Sequence, residues 1–162
     1  MIQELNELLG DAVVLSHKSH AFHWNVKGLD FHQYHDFLGK YYEAINAEVD
    51  NIAEKVQIVG GVPCSTLSGC LDLSAIDEAN DAVMDPPSMM AILSGDNRIF
   101  IDTMYNAFYA AEDEEDEGVM NYIAGIIDAF GKWQWQIDSS LGKKTMQESY
   151  NIYHEYIKKT KR

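Results

Sequence analysis

The stretch FHQYHDFLGKYYEAINAEVDNIAEKVQIV, residues 31–59, decides the fold. Phe31, Tyr34, Leu38, Tyr41, Ile45, Val49, Ile52, Val56 and Val59 recur three or four apart, the period of one apolar stripe on a long helix. Gly60-Gly61 followed by Pro63 ends it. Within it, Asp50 and Glu54 are i, i+4 neighbours whose carboxylates share a face. His35 lies fifteen residues before Asp50, which at 1.5 Å per residue is roughly 22 Å along the axis.

Upstream, residues 2–25 carry Leu5, Leu8, Leu9, Ala12, Val13 and Leu15 and read as a first helix that ends in His23-Trp24-Asn25-Val26-Lys27-Gly28. His23 therefore turns back near His35. The chain offers a histidine pair at one end of the long helix and a carboxylate pair at the other. One metal ion cannot bridge the distance between them. If both pairs serve one site, a second subunit supplies the missing half, as antiparallel pairing across a two-fold axis would arrange. A set of two imidazoles and two carboxylates suits Fe(II), and zinc or another divalent ion also accepts it.

These residues resemble a family. The run from His23 to Gly28, then Phe31 and His35, Asp50-Asn51-Ile52-Ala53-Glu54-Lys55, Gly60-Gly61-Val62-Pro63 and Ser65-Thr66-Leu67 are similar to the Dps family of ferritin-like mini-ferritins, DNA-binding proteins from starved cells. Asp116-Glu117-Gly118 and the helix holding Trp133 extend the likeness, so it covers about residues 5–141. The resemblance implies a four-helix subunit, a hollow shell of twelve, and oxidation of Fe(II) by peroxide or oxygen with storage of Fe(III) mineral. It places the iron site between two-fold-related subunits, with His23 and His35 from one and Asp50 and Glu54 from the other as catalytic and metal-holding residues. It also implies Trp24 as an electron donor beside the metals, although a tryptophan at such a helical position ordinarily belongs to the core.

One departure stands inside the motif. The family has a carboxylate four residues after the second histidine, and here that position is Gly39. Asp36 does not replace it, because neighbours in sequence point about 100° apart around a helix. A glycine there also costs the helix roughly 1 kcal/mol relative to alanine.

The rest of the chain reads as one all-α, ferritin-like domain over residues 1–162, a four-helix bundle with a long crossover and short loop turns between 61 and 85. Asp85-Pro86-Pro87-Ser88 opens a third helix, with an interruption expected near Gly95-Asp96 and a break at Gly118. A fourth runs through Met120, Ile127, Trp133 and Leu141, and Thr145 to Tyr156 reads as a further helix in a C-terminal extension, 143–162. Trp133 and Trp135 are assigned to packing, and His17, His20, His32 and His154 to solvated or hydrogen-bonded positions. The N-terminal residues have no basic region ahead of an apolar run, and no apolar stretch nears the length of a membrane span, so a cytoplasmic protein with no membrane partner is expected. Cys64 and Cys70 fit a reducing compartment and need no disulfide.

Charge narrows the partners. The formal net charge is −14, and four of the twelve basic residues lie in Lys158–Arg162, so the remainder carries −18. Such a body repels phosphate, which leaves DNA binding to the C-terminal tail alone, weak or absent. The acidic run from Glu112 to Glu117 has two readings: a solvated turn with Asp116 capping the next helix, or an ion entry built from Asp113, Asp116 and Glu117. Three functions follow: an iron-oxidising and iron-storing shell, a structural shell that binds metal without efficient turnover because position 39 has lost its ligand, and a DNA-compacting module. The first is the leading reading; Gly39 speaks for the second, and the acidic body disfavours the third.

Overall fold

In the computed structural model, residues 1–79 and 84–142 are described. Five helices follow in order: α1 (Ile2–Asn25), α2 (Phe31–Ile58), α3 (Leu67–Leu73), α4 (Pro86–Asp113) and α5 (Glu117–Ser140). The four long ones form the bundle and the short α3 lies in the crossover between α2 and α4. Residues 143–162, including the expected helix at Thr145–Tyr156, the basic tail and His154, fall outside the described residues.

The stripe on α2 faces inward as its period requires: Leu38, Tyr41, Ile45, Ile52 and Val56 are fully buried. They meet Leu5, Leu8, Leu15 and Phe22 of α1, Phe100 and Met104 of α4, and Ile123 and Phe130 of α5 in one core. Ring contacts join α2 to α5, Phe37 and Tyr41 lying 5.4 and 5.3 Å from Trp133. Trp135 does not share in this packing, being 65% exposed on the single chain.

Two helix ends use the same backbone motif with different residues. At the end of α2, the Gly60 and Gly61 amides donate to the Gln57 and Val56 carbonyls at 2.9 and 2.8 Å, and Gly60 takes φ 81°. At the end of α4, the Glu115 and Asp116 amides donate to Glu112 and Ala111 at 3.0 Å each, and Glu115 takes φ 57°. The break therefore precedes Gly118, which lies inside the first turn of α5. The expected interruption near Gly95-Asp96 is also absent, since α4 runs through both.

Asp96 explains that continuity. Its carboxylate accepts from the Lys18 ammonium at 2.8 Å, and both residues are buried. Beside them, the Tyr41 hydroxyl donates to Asn97 at 2.9 Å, and Asn97 donates to Gln134 at 2.9 Å and to the Phe130 carbonyl at 3.1 Å. Burial, with the Asp96 charge, pushes the Tyr41 phenol above its ordinary value. Removing one partner from a buried ion pair costs about 3–5 kcal/mol, so this interior is polar but closed. Sequence carried a signal for it: Lys18 continues the Leu8, Asp11, Leu15 register toward Phe22 on the inner side of α1.

Candidate functional site

The Val26–Asp30 connection returns the chain on itself, with Gly28 at φ 125° and Val26 buried beneath it. This brings the last turn of α1 against the first turns of α2. The imidazoles of His23 and His35 stack with centroids 3.7 Å apart and planes 22° from parallel. Nδ1 of His23 donates to the His35 carbonyl at 2.8 Å, and Nδ1 of His35 donates to the His23 carbonyl at 3.0 Å. A carbonyl can only accept, so each Nδ1 carries the proton and each Nε2 carries the lone pair. A metal-ligating histidine is ordinarily oriented in this way by a bond from its other nitrogen.

Aromatic rings surround the pair. Phe31 stacks on His35 at 4.9 Å and Tyr42 lies edge-on to His23 at 5.4 Å. His20 stacks on Tyr42 at 3.9 Å and meets Trp24 at 4.2 Å. Burial, then the neighbouring His23 and His17, hold the His20 imidazole below its ordinary value. Trp24 is 60% exposed, so the expectation of a core tryptophan is corrected. Phe22 and Val26 on either side of it are buried, so the side of α1 it occupies turns it outward. His17 and His32 are exposed, as expected of solvated histidines.

Gly39 lies against this pair. A Cβ at position 39 would stand 3.3 Å from Cε1 and 3.4 Å from Nδ1 of His23, so the glycine fits against the imidazole. Asp36 turns away and pairs with Lys40 at 2.6 Å, both being 66% exposed. It offers the histidines no carboxylate.

Asp50 and Glu54 stand exposed toward the far end of α2. Neither makes a hydrogen bond or ion pair with a described residue. No three His, Cys, Asp or Glu side chains among the described residues converge on one point. The histidine pair and the carboxylate pair thus stand apart on one chain.

The acidic run is mostly spent on local structure. Asp113 is the last residue of α4, Asp116 accepts from the Val119 amide at 2.9 Å as the N-cap of α5, and Glu117 opens that helix. Capping by Asp116 is the solvated-turn reading; no described contact bears on ion entry. No helix among the described residues is long and apolar enough to cross a membrane.

Comparison with known proteins places this geometry. The ferritin-like domain model matches residues 2–146. The DNA protection during starvation protein 2 of Bacillus anthracis is 29% identical over 143 residues, covering 88% of this chain and 97% of the relative. The crystal structure of Dps from Staphylococcus aureus superimposes with a TM-score of 0.82 at 31% identity, covering 86% of this chain and 93% of that one. A Dps protein from Bacillus brevis does so at 28% identity, also with a TM-score of 0.82, over 86% and 97%.

Proposed function

The chain belongs to the Dps family of ferritin-like proteins, and from that premise we propose that it assembles into a closed shell, of twelve subunits by the family pattern, that oxidises Fe(II) and stores Fe(III). The observation that carries the proposal is the division of α2 into two half-sites. His23 and His35 present two Nε2 lone pairs with their orientation already set by hydrogen bonds. Asp50 and Glu54 present two exposed carboxylates roughly 22 Å further along the same helix. Two-fold pairing joins the histidines of one subunit to the carboxylates of its neighbour.

The reaction balances as two Fe(II), one hydrogen peroxide and two protons giving two Fe(III) and two waters. The histidines bind Fe(II) as neutral ligands, and the carboxylates favour the more highly charged product. Trp24, exposed and 4.2 Å from the His20 ring, would give an electron when only one Fe(II) is present. Asp113, Asp116 and Glu117 would draw cations toward an entry if three subunits meet there. The cytoplasm, where Fe(II) persists, is the matching compartment, and DNA is a weak partner or none for so acidic a body.

A second reading rests on Gly39: a shell that binds metal, iron or zinc, without efficient turnover. Stopped-flow oxidation of Fe(II) by peroxide, with light scattering on the same sample, tests both. Rapid oxidation by a large oligomer supports the first reading. A large oligomer that binds Fe(II) but oxidises it no faster than buffer supports the second. A stable monomer of 18.3 kDa overturns both.

A further inference from the structure

Away from the histidines, the crossover holds two cysteines that the proposed iron chemistry does not use. Cys64 and Cys70, both free thiols six residues apart, flank the first turn of α3. The Cys70 thiol points at the Cys64 carbonyl at 3.8 Å, and the Cys64 thiol at the Thr66 carbonyl at 3.6 Å. The segment between them is folded back tightly: Thr66 caps α3 by accepting from the Gly69 amide at 3.1 Å, and a Cβ on Gly69 would stand 3.0 Å from the Cys64 sulfur.

Both ends of this segment are docked on α1. Asn6 accepts from the Cys64 amide at 2.7 Å and donates to the Val62 carbonyl at 3.2 Å. At the other end, Gly10 lets the backbone come so close that a Cβ there would lie 2.7 Å from the Cys70 carbonyl. Beyond it, Asp11 accepts from the Ser74 hydroxyl at 2.8 Å and the Ala75 amide at 2.7 Å. The fold therefore fixes the segment that carries both cysteines and sets the Cys70 sulfur 3.8 Å from the Cys64 carbonyl.

We propose that Cys64 and Cys70 form a peroxide-sensitive dithiol, a redox site that closes to a disulfide within one chain and reopens with a thiol reductant. Cys64, half-buried, is oxidised first, and Cys70, 4% exposed, resolves it. The Cys64 sulfur attacks peroxide, an S–O bond forms, the O–O bond breaks, and hydroxide leaves, giving a sulfenic acid. The Cys70 sulfur then attacks the Cys64 sulfur, the S–S bond forms, the S–O bond breaks, and the oxygen departs as water with the Cys70 proton. Two thiols lose two electrons and one peroxide becomes two waters. Burial, then the neighbouring Cys64, push the Cys70 thiol up to about 11, in keeping with its role as the proton-bearing partner rather than the first nucleophile.

The test uses the full chain stripped of metal by a chelator, so that it does not depend on iron oxidation. After hydrogen peroxide, thiols are counted and tryptic peptides weighed without reduction. Trypsin releases both cysteines in one peptide, 56–98, because no Lys or Arg lies between Lys55 and Arg98. The expected result is loss of both thiols together and a peptide lighter by two hydrogens, restored by dithiothreitol. In Cys70→Ser, dimedone should label Cys64; in Cys64→Ser, Cys70 should stay reduced at the same dose. Met84, half-buried in the same peptide, gauges the exposure to oxidant. Thiols that survive while Met84 becomes a sulfoxide, a crosslink between chains, or dimedone on Cys70 in Cys64→Ser would each overturn the proposal.

Discussion

The two ends of α2 are built in opposite ways. At the N-terminal end, His23 and His35 are stacked, enclosed by Phe31 and Tyr42, and locked by a reciprocal pair of hydrogen bonds. At the other end, Asp50 and Glu54 are exposed and lie four residues apart with like charge, an arrangement that costs a helix about 0.2–0.5 kcal/mol. The imidazole end is held by contacts within one chain, whereas the carboxylate end makes none with described residues and faces solvent. On the proposed reading, a folded subunit carries one rigid half-site and one solvated half-site, an asymmetry that a two-fold contact would resolve.

The largest expected effect breaks the comparison at either end. His35→Ala and Glu54→Ala should each slow peroxide-driven Fe(II) oxidation by about 100-fold or more, since groups merely bonded to a ligand already cost 10–100-fold when removed. Assembling the two variants together sharpens it. On the proposed reading a site takes histidines from one subunit and carboxylates from another, so random mixing should restore roughly a quarter of the parent activity. Stopped-flow absorbance on the mixed shell checks this, and no recovery would mean that each subunit completes its own site.

Gly39→Asp comes next, with Fe(II) oxidation expected to rise about tenfold as a hard oxygen joins the histidine end. His23 must yield by a few tenths of an ångström, because the new Cβ comes within 3.3 Å of its ring. Gly39→Ala makes the same contact without a ligand and should give no gain in rate. An Asp variant no faster than a parent already rapid would show that position 39 is not a ligand site in this chain.

The smallest effect concerns how the helices stop. Gly60 ends the carboxylate half of α2 with the positive φ that Glu115 must adopt at the end of α4. Gly60→Ala should lower stability by about 1 kcal/mol and Glu115→Gly raise it by a similar amount, because a Cβ in the left-handed region costs roughly that much. Urea midpoints of the metal-free protein measure both. Equal shifts of the same sign would mean that packing, not backbone conformation, governs these ends.

The long helices were legible because their apolar residues keep one period: α1 spans the expected 2–25 and α2 ends one residue before the expected 59. The short α3 falls in the loop where turns were expected. Helix breaks were misplaced where glycine served as the guide. Gly95 sits within a continuous helix held by the Lys18–Asp96 pair, and the turn before α5 is made by Glu115, a residue without intrinsic preference for that conformation. Trp135 was assigned to packing and Trp24 was read either as core or as an electron donor; both stand exposed on the single chain, and residue type alone does not say which side of a helix faces its neighbours.

By itself the sequence determined the all-α architecture and the separation of two histidines from two carboxylates, because these depend only on helical period and rise, whereas the missing carboxylate at position 39 was visible only through the family resemblance. Tertiary structure decided what those residues meet. It stacked the imidazoles and set their tautomers through carbonyls on the opposite helix, seated Gly39 against His23, buried an ion pair in the bundle, and brought Cys64 beside Cys70 on the flank of α1. Such contacts arise from packing between segments distant in sequence or from the folding back of a docked loop, and no local periodicity encodes them.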